Sequence, residues 1–495
     1  MRVRVSLAML LASTGLVAAA CGGGGGGGGG SSSAGALPAG ASVVPATAPV
    51  LVSADTDFSS DQWKEASALA KHFPGLPSLL TMLESQLQKQ NVSLEQDVKP
   101  ALGPEVDIAF LDLQNSGNNV VVLTKPDDKA RLDALLAKGE SPPATTEKDG
   151  WTVAADSKAK IDQFDQAGGS TLANDQEFQS VMKQLPADTL ARVYVAGAPV
   201  QARLNSALSR SSAGQTGLTS GFGTFKGLGL AATAKDNGLR LDGVIDGTLS
   251  AAPASYKAEL PSELPSGALL FVSFDQLDKQ VRRVLDAVEK TQPNLKTQIS
   301  QVEGVLGLTL ENDVFPLLSR EGAIAVYPST AGLPTIEAVF RVPDETKAKS
   351  LVDRIGAIAR LGGQTVQDVD VSGVAAHEID IPAQNLTVLY AVFDGKLVVT
   401  NAREGIAGLR SGGTHLADDP LYKEAADSAG LPDETLGFTY ADLRDALPLV
   451  LQFARSRGST IPATVDENTK PLGAALLYST KDHQGYRLGG FVTVK

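Results

Sequence analysis

The chain contains two copies of one sequence unit, and this internal duplication constrains its fold more than any other feature. The clearest match needs no gap: SLEQDVKPALGPEVDIAF at 93–110 lies against TLENDVFPLLSREGAIAV at 309–326. Five further matches are collinear with it, namely 44–55 with 264–275, 125–136 with 342–355, 167–178 with 411–422, 185–195 with 431–441, and 226–243 with 470–490. The sequence therefore predicts a tandem repeat of a unit of somewhat more than about 200 residues.

The two copies differ in length. The spacing between matched residues rises from 216 or 220 in the early matches to about 245 in the later ones, so the second copy carries an insertion of roughly 28 residues. We place the insertion near 366–393, where alternating and β-branched residues predict an extra β-hairpin.

Each unit mixes strands and helices, and the helices are grouped between strand pairs. For example, GLGLAATAKDNGLRLDGVID at 227–246 predicts a closing hairpin with Asp-Asn-Gly at its turn. This grouping favours an α+β fold, a tandem duplication of a mixed unit with an antiparallel sheet and helices packed on one face. It does not fit a doubly wound parallel sheet.

The N-terminus has the features of a bacterial export signal. Arg2 and Arg4 precede an uncharged, Leu/Ala-rich run from Val5 to Ala20, so residues 1–20 are predicted to be a signal peptide. The segment LVAAAC, which ends in the only cysteine of the chain, is similar to a lipobox and predicts lipid attachment at Cys21. An alternative stays open, because Ala18-Ala19-Ala20 also satisfies the Ala-x-Ala rule of an ordinary signal peptidase.

The remaining boundaries follow from composition and from the repeats. Residues 21–43 are rich in Gly and Ser and predict a flexible tether with a reach on the order of 25 Å. The first repeat is assigned to 44–248, a Pro/Ser-rich junction to 249–263, and the second repeat to 264–495.

The charge balance excludes some partners. The formal net charge is -13, and removal of Arg2 and Arg4 with the signal gives -13 - 2 = -15. Because phosphate backbones and anionic headgroups repel such a chain, we expect no nucleic-acid partner and no membrane docking beyond the lipid itself. The expected partners are the membrane, through the lipid on Cys21, and an unknown envelope protein or cell-wall component.

One pattern carries a family resemblance: a proline, then a strand ending in Asp, then a helix, as in VPATAPVLVSADTDF, LPSGALLFVSFDQL and LPDETLGFTYADL. Together with the N-terminus, this pattern resembles the bacterial envelope lipoproteins grouped as domain of unknown function 3352. The resemblance covers residues 44–495. It implies a cell-envelope location, and it implies no activity and no functional residue, because none is assigned to that family.

Two acidic motifs have alternative interpretations. Asp55, Asp275 and Asp442 recur at strand ends before helices, where they form either a carboxylate set or helix N-caps, and we expect N-caps. DVDVSG at 368–373 begins like a calcium loop, but the twelfth position is Ile379 rather than the required glutamate. We therefore expect a solvated strand there.

The other chemical motifs are weak. GLGLAA at 227–232 fits a loose dinucleotide pattern but lies inside a predicted strand with no helix after it. His72, His377, His415 and His483 lack the spacings that metal ligands favour. The sequence therefore predicts no catalytic residue, no metal and no cofactor.

Two functional hypotheses remain. The first is a non-catalytic, lipid-anchored, extracytoplasmic envelope protein that serves as a binding or scaffold module, with the inserted hairpin as a candidate contact. The alternative is a carrier that holds a small apolar or lipidic ligand in a cleft between the two repeats, since ligands prefer such boundaries. A hydrophobic cavity apart from the packed cores favours the carrier, whereas a solid core with an exposed apolar patch favours the scaffold.

Overall fold

The structure of the protein is a computed structural model. It describes residues 35–113, 118–138, 141–209, 223–248, 253–292, 294–329, 333–381, 386–483 and 485–495. Cys21, the predicted signal peptide and most of the predicted tether lie outside the described residues.

The first repeat alternates strand groups with helices, as the sequence predicts. Its elements are β1 (Val50–Asp55), α1 (Asp61–Ala70), α2 (Leu76–Gln88), β2 (Glu105–Phe110), β3 (Val120–Thr124), α3 (Lys129–Ala137), β4 (Ala144–Lys148), β5 (Trp151–Ala155), α4 (Lys158–Gln166), α5 (Gln176–Met182), β6 (Ala191–Ala196), α6 (Gly197–Ser209), β7 (Phe225–Lys235) and β8 (Gly238–Gly247).

The second repeat has the same elements in the same order and, among the described residues, one further strand pair and one further short helix, α13. They are β9 (Leu270–Phe274), α7 (Leu277–Thr291), α8 (Asn294–Leu306), β10 (Gly322–Tyr327), β11 (Thr335–Arg341), α9 (Glu345–Leu361), β12 (Val366–Val371), β13 (Val374–Ile381), β14 (Leu386–Phe393), β15 (Lys396–Thr400), α10 (Arg403–Arg410), α11 (Pro420–Ala429), β16 (Gly437–Asp442), α12 (Leu443–Ser456), α13 (Ala463–Thr469), β17 (Leu472–Asp482) and β18 (Gly485–Val494).

The duplication is visible in matched contacts. Pro45 bridges Thr171 in the first repeat, and Pro265 bridges His415 in the second. A short π-helix follows α2 and α8 at Leu94–Val98 and Leu310–Val314. In each, the side chain of the preceding Ser93 or Thr309 caps the turn, and Asp97 or Asp313 accepts a hydrogen bond from the backbone N–H of that capping residue, at 2.8 and 2.6 Å. The fold is therefore a tandem α+β duplication.

The two repeats share one antiparallel sheet. The pairings of the described strands give the spatial order β4-β5-β3-β2-β1-β6-β7-β8-β18-β17-β16-β9-β10-β11-β15-β14-β13-β12. The repeats join where β8 pairs with β18, the last strand of each copy. At the centre of that pairing Asp242 lies opposite Gly489, flanked by Leu241 opposite Gly490 and Gly243 opposite Leu488. Because these residues are equivalent between the copies, a pseudo-two-fold axis passes through the junction.

One face of the sheet, called the helix face here, carries the main cores. In the first repeat Leu51, Val121 and Tyr194 are almost completely buried with side chains of α4 and α5. In the second repeat Phe271 and Tyr440 have the same surroundings beneath α10 and α11. Alternation along each strand then sends the intervening side chains to the opposite face.

The insertion of the second repeat is the strand pair β12–β13, together with a longer helix α9. β15 pairs with β11 as β5 pairs with β3, so β14 and β15 are the counterparts of β4 and β5. The added strands thus cover 366–381, and β14 within the expected segment 366–393 belongs to the common plan.

The folded units begin earlier than their assigned boundaries. Residues 39–42, assigned to the tether, form a 3₁₀ turn in which Ala41 is fully buried. The Glu105 carboxylate accepts the backbone N–H of Gly40 at 2.9 Å, and this anchors the segment. The matching turn of the second repeat contains the fully buried Leu260, inside the assigned junction. The small residues of the first turn, and the proline and serine of the second, make these turns resemble linkers in the sequence.

Candidate functional site

The second face of the sheet, called the open face here, is apolar and partly exposed. Side chains alternate between the two faces along each strand, and directly paired residues of neighbouring strands share a face. The pairing register therefore assigns each side chain to one face of the sheet. Four of its large apolar side chains are substantially exposed to solvent: Leu230 is 37% exposed, Ile324 39%, Ile336 49% and Leu477 49%. Contiguous exposed apolar surface is typical of interaction or ligand sites.

Two adjoining cavities lie on the open face at the junction of the repeats. Their volumes are about 460 Å³ and 480 Å³, and both are lined by Ser479 and Leu488. We call the pair the central trough. Its apolar floor comes from both repeats: Leu230, Leu241, Ile245, Val272, Leu477 and Leu488. These volumes fall within the range of small-ligand sites.

Two glycines at equivalent positions shape this floor. A Cβ atom on Gly243 would approach Leu230 Cδ2 and Leu488 Cβ, both at 3.0 Å, and one on Gly490 would meet Leu477 Cδ2 at 2.3 Å. The missing side chains therefore leave a depression between strands and let the leucines lie across it. Because each copy supplies one such glycine, both repeats contribute to the depression in the same way.

Helix α6 closes one end of the trough. Val200 and Gln201 of α6 line the 480 Å³ cavity together with Pro253 and Leu436, which precede the second repeat and β16. The wall thus comes from both repeats, as the floor does.

Charge is scarce in the trough. Asp242 is the one carboxylate among the described lining residues. Its side chain pairs with Arg240 at 3.2 Å on the helix face, where Arg240 also approaches the carbonyl oxygen of Ala429. The remaining polar groups of the trough are hydroxyls and amides, so the site suits an uncharged, largely apolar molecule.

The groups with strongly shifted pKa values lie in the packed cores. Burial raises the pKa of Glu337 to about 8. Burial, followed by the charge of Glu105, raises the pKa of Asp107 well above its ordinary value. Neither residue lines the trough, and within the described ranges no cluster of three or more His, Cys, Asp and Glu could hold a metal ion.

The structure separates the three aspartates at strand ends. Asp442 caps α12 by accepting the backbone N–H of Asp445 at 3.1 Å, which confirms the N-cap prediction there. The prediction is wrong for Asp55, because Ser60 caps α1 and Asp55 instead accepts the Ser60 hydroxyl at 2.6 Å. It is also wrong for Asp275, since the cap position of α7 is Gln276 in a left-handed conformation.

These carboxylates do not converge. Asp55 and Asp442 end strands that are six strand spacings apart in the sheet, about 29 Å. Asp275 follows β9 at the opposite end of the strands. A shared carboxylate site is therefore excluded.

The two weak motifs adopt the expected strand structures. Residues 368–373 form the end of β12 and a tight turn, in which the Gly373 N–H binds Asp370 at 3.0 Å. Residues 227–232 lie in β7, which continues into β8 through the Asp236-Asn237 turn.

One histidine has contacts that sequence spacing did not indicate. His377 on β13 lies between two carboxylates, with Nδ1 2.7 Å from Asp368 and Nε2 3.0 Å from Asp353 of α9. The contact connects the inserted hairpin to its helix. His415 is placed as Thr171 is, beside the first proline of its repeat.

The trough residues were not identified from the sequence. A signal was present: β7 and β17 are apolar at consecutive positions, as in LLY at 476–478, although one face of each strand already packs against helices. Apolar residues on both faces of a strand indicate that the second face also has a use.

Among the described helices we find no candidate for a membrane span, since none combines the necessary length with sufficient hydropathy.

Comparisons with known proteins give a family and distant structural similarity. The model of the family described as "Protein of unknown function (DUF3352)" matches residues 5–160 and 152–484. Crystal forms III and I of TP0453 are similar at 13% identity, with TM-scores of 0.24 and 0.23. They cover 46% and 47% of this chain and 77% of TP0453. No curated protein matches the chain.

Proposed function

Because the chain belongs to DUF3352, a family of proteins of unknown function, we propose its role from the geometry of the site. The protein is a non-catalytic binding module of the bacterial cell envelope that holds a small apolar or lipidic ligand in the central trough. The observation that carries this proposal is an apolar trough outside the packed cores, built from both repeats.

The chemistry of the trough supports a straight or flexible apolar ligand. The floor is largely aliphatic, and the hydroxyls of Thr439 and Ser479 are among the few polar side chains of the lining, where one polar end of a ligand could bind. Apolar pockets with a few polar groups bind in this way, because burial provides affinity and the polar groups fix orientation.

The location is inferred from the N-terminus. The protein is extracytoplasmic and is attached to the cell membrane by lipid on Cys21, with the folded part at the end of the Gly/Ser tether. Attachment to a membrane gives a binding module direct access to lipidic ligands.

The non-catalytic assignment is supported by the position of the titratable groups. Catalysis needs polar or ionisable groups that converge on a cavity. In the described residues Glu337 and Asp107 lie in separate cores, on the face of the sheet opposite to the trough.

A pair of matched variants tests the trough. Leu477→Asp introduces a charge on its floor, whereas Ile336→Asp introduces the same charge on the same face but outside the lining. Both wild-type side chains are 49% exposed, so the two substitutions have similar effects on folding. The measurement is titration of a fluorescent straight-chain fatty acid into the purified full chain.

We expect Leu477→Asp to weaken binding of the fatty acid on the order of 100-fold, since a buried carboxylate opposes an apolar ligand. Ile336→Asp should bind as the wild type does. Equal affinities of all three proteins, or no binding to the wild type, would contradict the proposal.

The scaffold hypothesis remains a second candidate, because Ile324 and Ile336 extend the apolar surface beyond the trough. If an envelope protein covers this surface, the Ile336→Asp substitution should abolish its binding. Loss of a co-purifying protein in that variant, with unchanged fatty-acid binding, would favour the scaffold.

A further inference from the structure

Helix α12 has an apolar side that the described residues leave exposed. Leu449 is 40% exposed, Val450 58% and Phe453 55%, and no residue of the helix is fully buried. The spacing of these three residues places them on one side of the helix. A strongly amphipathic helix with large aliphatic and aromatic residues on one side is the type that lies in a membrane surface.

The same helix and its C-terminal cap carry three arginines, two of which are held in ion pairs. Arg444 pairs with Asp442 and Asp445, and Arg455 pairs with Asp466 of α13. The Arg457 guanidinium lies 5.1 Å from the centre of the Phe453 ring, so positive charge borders the exposed apolar residues. Arg457 is therefore the cation that can meet an anionic lipid headgroup beside the exposed apolar side.

The helix lies at the end of the sheet where the tether arrives. Arg192, at the start of β6, donates a hydrogen bond to the carbonyl oxygen of Ala36. Following the antiparallel register from there puts the start of β8 and the ends of β18 and β16 at the same end of the strands. α12 begins directly after β16, and the following α13 confirms this position, since Asn468 accepts the backbone N–H of Gly75 between α1 and α2 at 2.9 Å.

The tether is short enough to keep this end of the sheet close to the membrane. From Cys21 to Gly35 the chain advances 35 - 21 = 14 residues, which gives a reach of about 20 Å for a Gly/Ser-rich segment. A lipid on Cys21 therefore holds this end of the sheet close to the bilayer and raises the effective concentration of α12 at its surface.

We propose that α12 is a membrane-contact helix that inserts Leu449, Val450 and Phe453 into the surface of an anionic bilayer. This inference rests on the proposed lipid anchor at Cys21. It revises the expectation, drawn from net charge, that the protein makes no membrane contact beyond its lipid. Net charge describes the field at a distance, whereas insertion depends on local charge within about 10 Å of the surface.

Helix α8 provides a matched control. It also exposes aliphatic side chains, with Val302 at 55% and Val305 at 86%. It follows β9 and α7, which lie at the opposite end of the strands from α12. The proposal predicts membrane contact at α12 and none at α8.

The experiment labels the acylated full chain at one position on each helix. Acylation blocks the thiol of Cys21, the only native cysteine, so Val450→Cys and Val305→Cys can each be labelled alone with an environment-sensitive fluorophore. The proteins are placed in phosphatidylcholine/phosphatidylglycerol vesicles that contain brominated lipid as quencher. We expect strong quenching at position 450 and little at position 305. Equal quenching at both positions, or none at 450, would overturn the proposal.

A second measurement separates this proposal from the anchor. Acylation of Cys21 is established by the mass of the purified protein before labelling, so an unmodified thiol counts against the anchor and the tether argument. The soluble Cys21→Ser chain is then tested for flotation with the same vesicles. Leu449→Gln, Val450→Gln and Phe453→Gln together should weaken its partitioning on the order of 100-fold. Unchanged flotation of this triple variant would contradict insertion by α12 while leaving the anchor intact.

Discussion

The two repeats fill their cores with different residues but place matching residues on the floor of the trough. In the core of the first repeat Asp107 and Arg192 are buried on either side of Ser53. The second repeat has Ala323 and Phe438 at these positions, on either side of Ser273. On the next strand the ionisable residue belongs to the second repeat instead, because Glu337 of the second repeat corresponds to Val121 of the first.

The trough positions, by contrast, match. Leu230 and Gly243 form a cross-strand pair in the first repeat, and Leu477 and Gly490 form the equivalent pair in the second. The duplicated backbone therefore accepts different ways of filling its cores, whereas both copies supply the same leucine–glycine pair to the floor of the shared trough. This contrast supports the trough as the functional part of the duplication.

The largest expected effect concerns Glu337. Its pKa is raised from 4.5 to about 8 by burial, so the folded protein keeps this proton in a range where the unfolded chain releases it. The contribution of this proton to the free energy of unfolding is complete below pH 4.5 and is lost as the pH rises to about 8. The loss amounts to at most about 5 kcal/mol. Glu337→Val, which introduces the residue of the first repeat, should remove this pH dependence.

Urea unfolding of wild type and Glu337→Val at pH 5 and at pH 8 measures this difference. Glu337→Gln is the control, because it removes the charge but keeps the polar group. If the wild type and Glu337→Val differ by the same free energy of unfolding at both pH values, Glu337 does not titrate as described.

The next effect concerns the pair at the pseudo-two-fold axis. A Cβ atom on Gly489 would lie 2.3 Å from Cζ of Tyr478, so Gly489→Asp should destabilise the protein by about 3 kcal/mol through overpacking. The reciprocal change, Asp242→Gly, removes only a partly exposed ion pair with Arg240 and should cost about 1 kcal/mol. Thermal melts of the two variants compare the sides directly, and equal losses would show that the junction is symmetric in packing.

The smallest effect concerns the inserted hairpin, which only the second repeat has. His377 links β13 to Asp353 of α9 and Asp368 of β12, but both carboxylates are largely exposed. His377→Gln should therefore lower the free energy of unfolding by only about 1 kcal/mol or less. Hydrogen exchange should instead show faster exchange confined to β12 and β13. A global loss of several kcal/mol would mean that the hairpin is part of the core.

Much of the fold could be predicted because the chain repeats itself. Two copies of each pattern identify strands such as β2 and β10 and helix caps such as Asp128 and Asp344. The matches also predict that Pro45 and Pro265 occupy like positions, which their bridges to Thr171 and His415 confirm.

The trough could not be predicted, because it depends on pairing between strands that are far apart in sequence. Nothing local in β8 or β18 specifies that these strands join the repeats, and only that register brings Gly243 beside Leu488. The N-cap errors at Asp55 and Asp275 have a similar origin, since a loop of a few residues between strand and helix decides which side chain reaches the free N–H groups.

The most direct test of the account is native mass spectrometry of the full-length protein, extracted gently from its own membrane, with Leu477→Asp and Ile336→Asp treated identically. The account predicts a discrete extra mass on the wild type and on Ile336→Asp, beyond the mass of lipid on Cys21, and its loss in Leu477→Asp. A wild type without bound ligand, or a ligand that all three proteins retain, would contradict the central trough as the binding site.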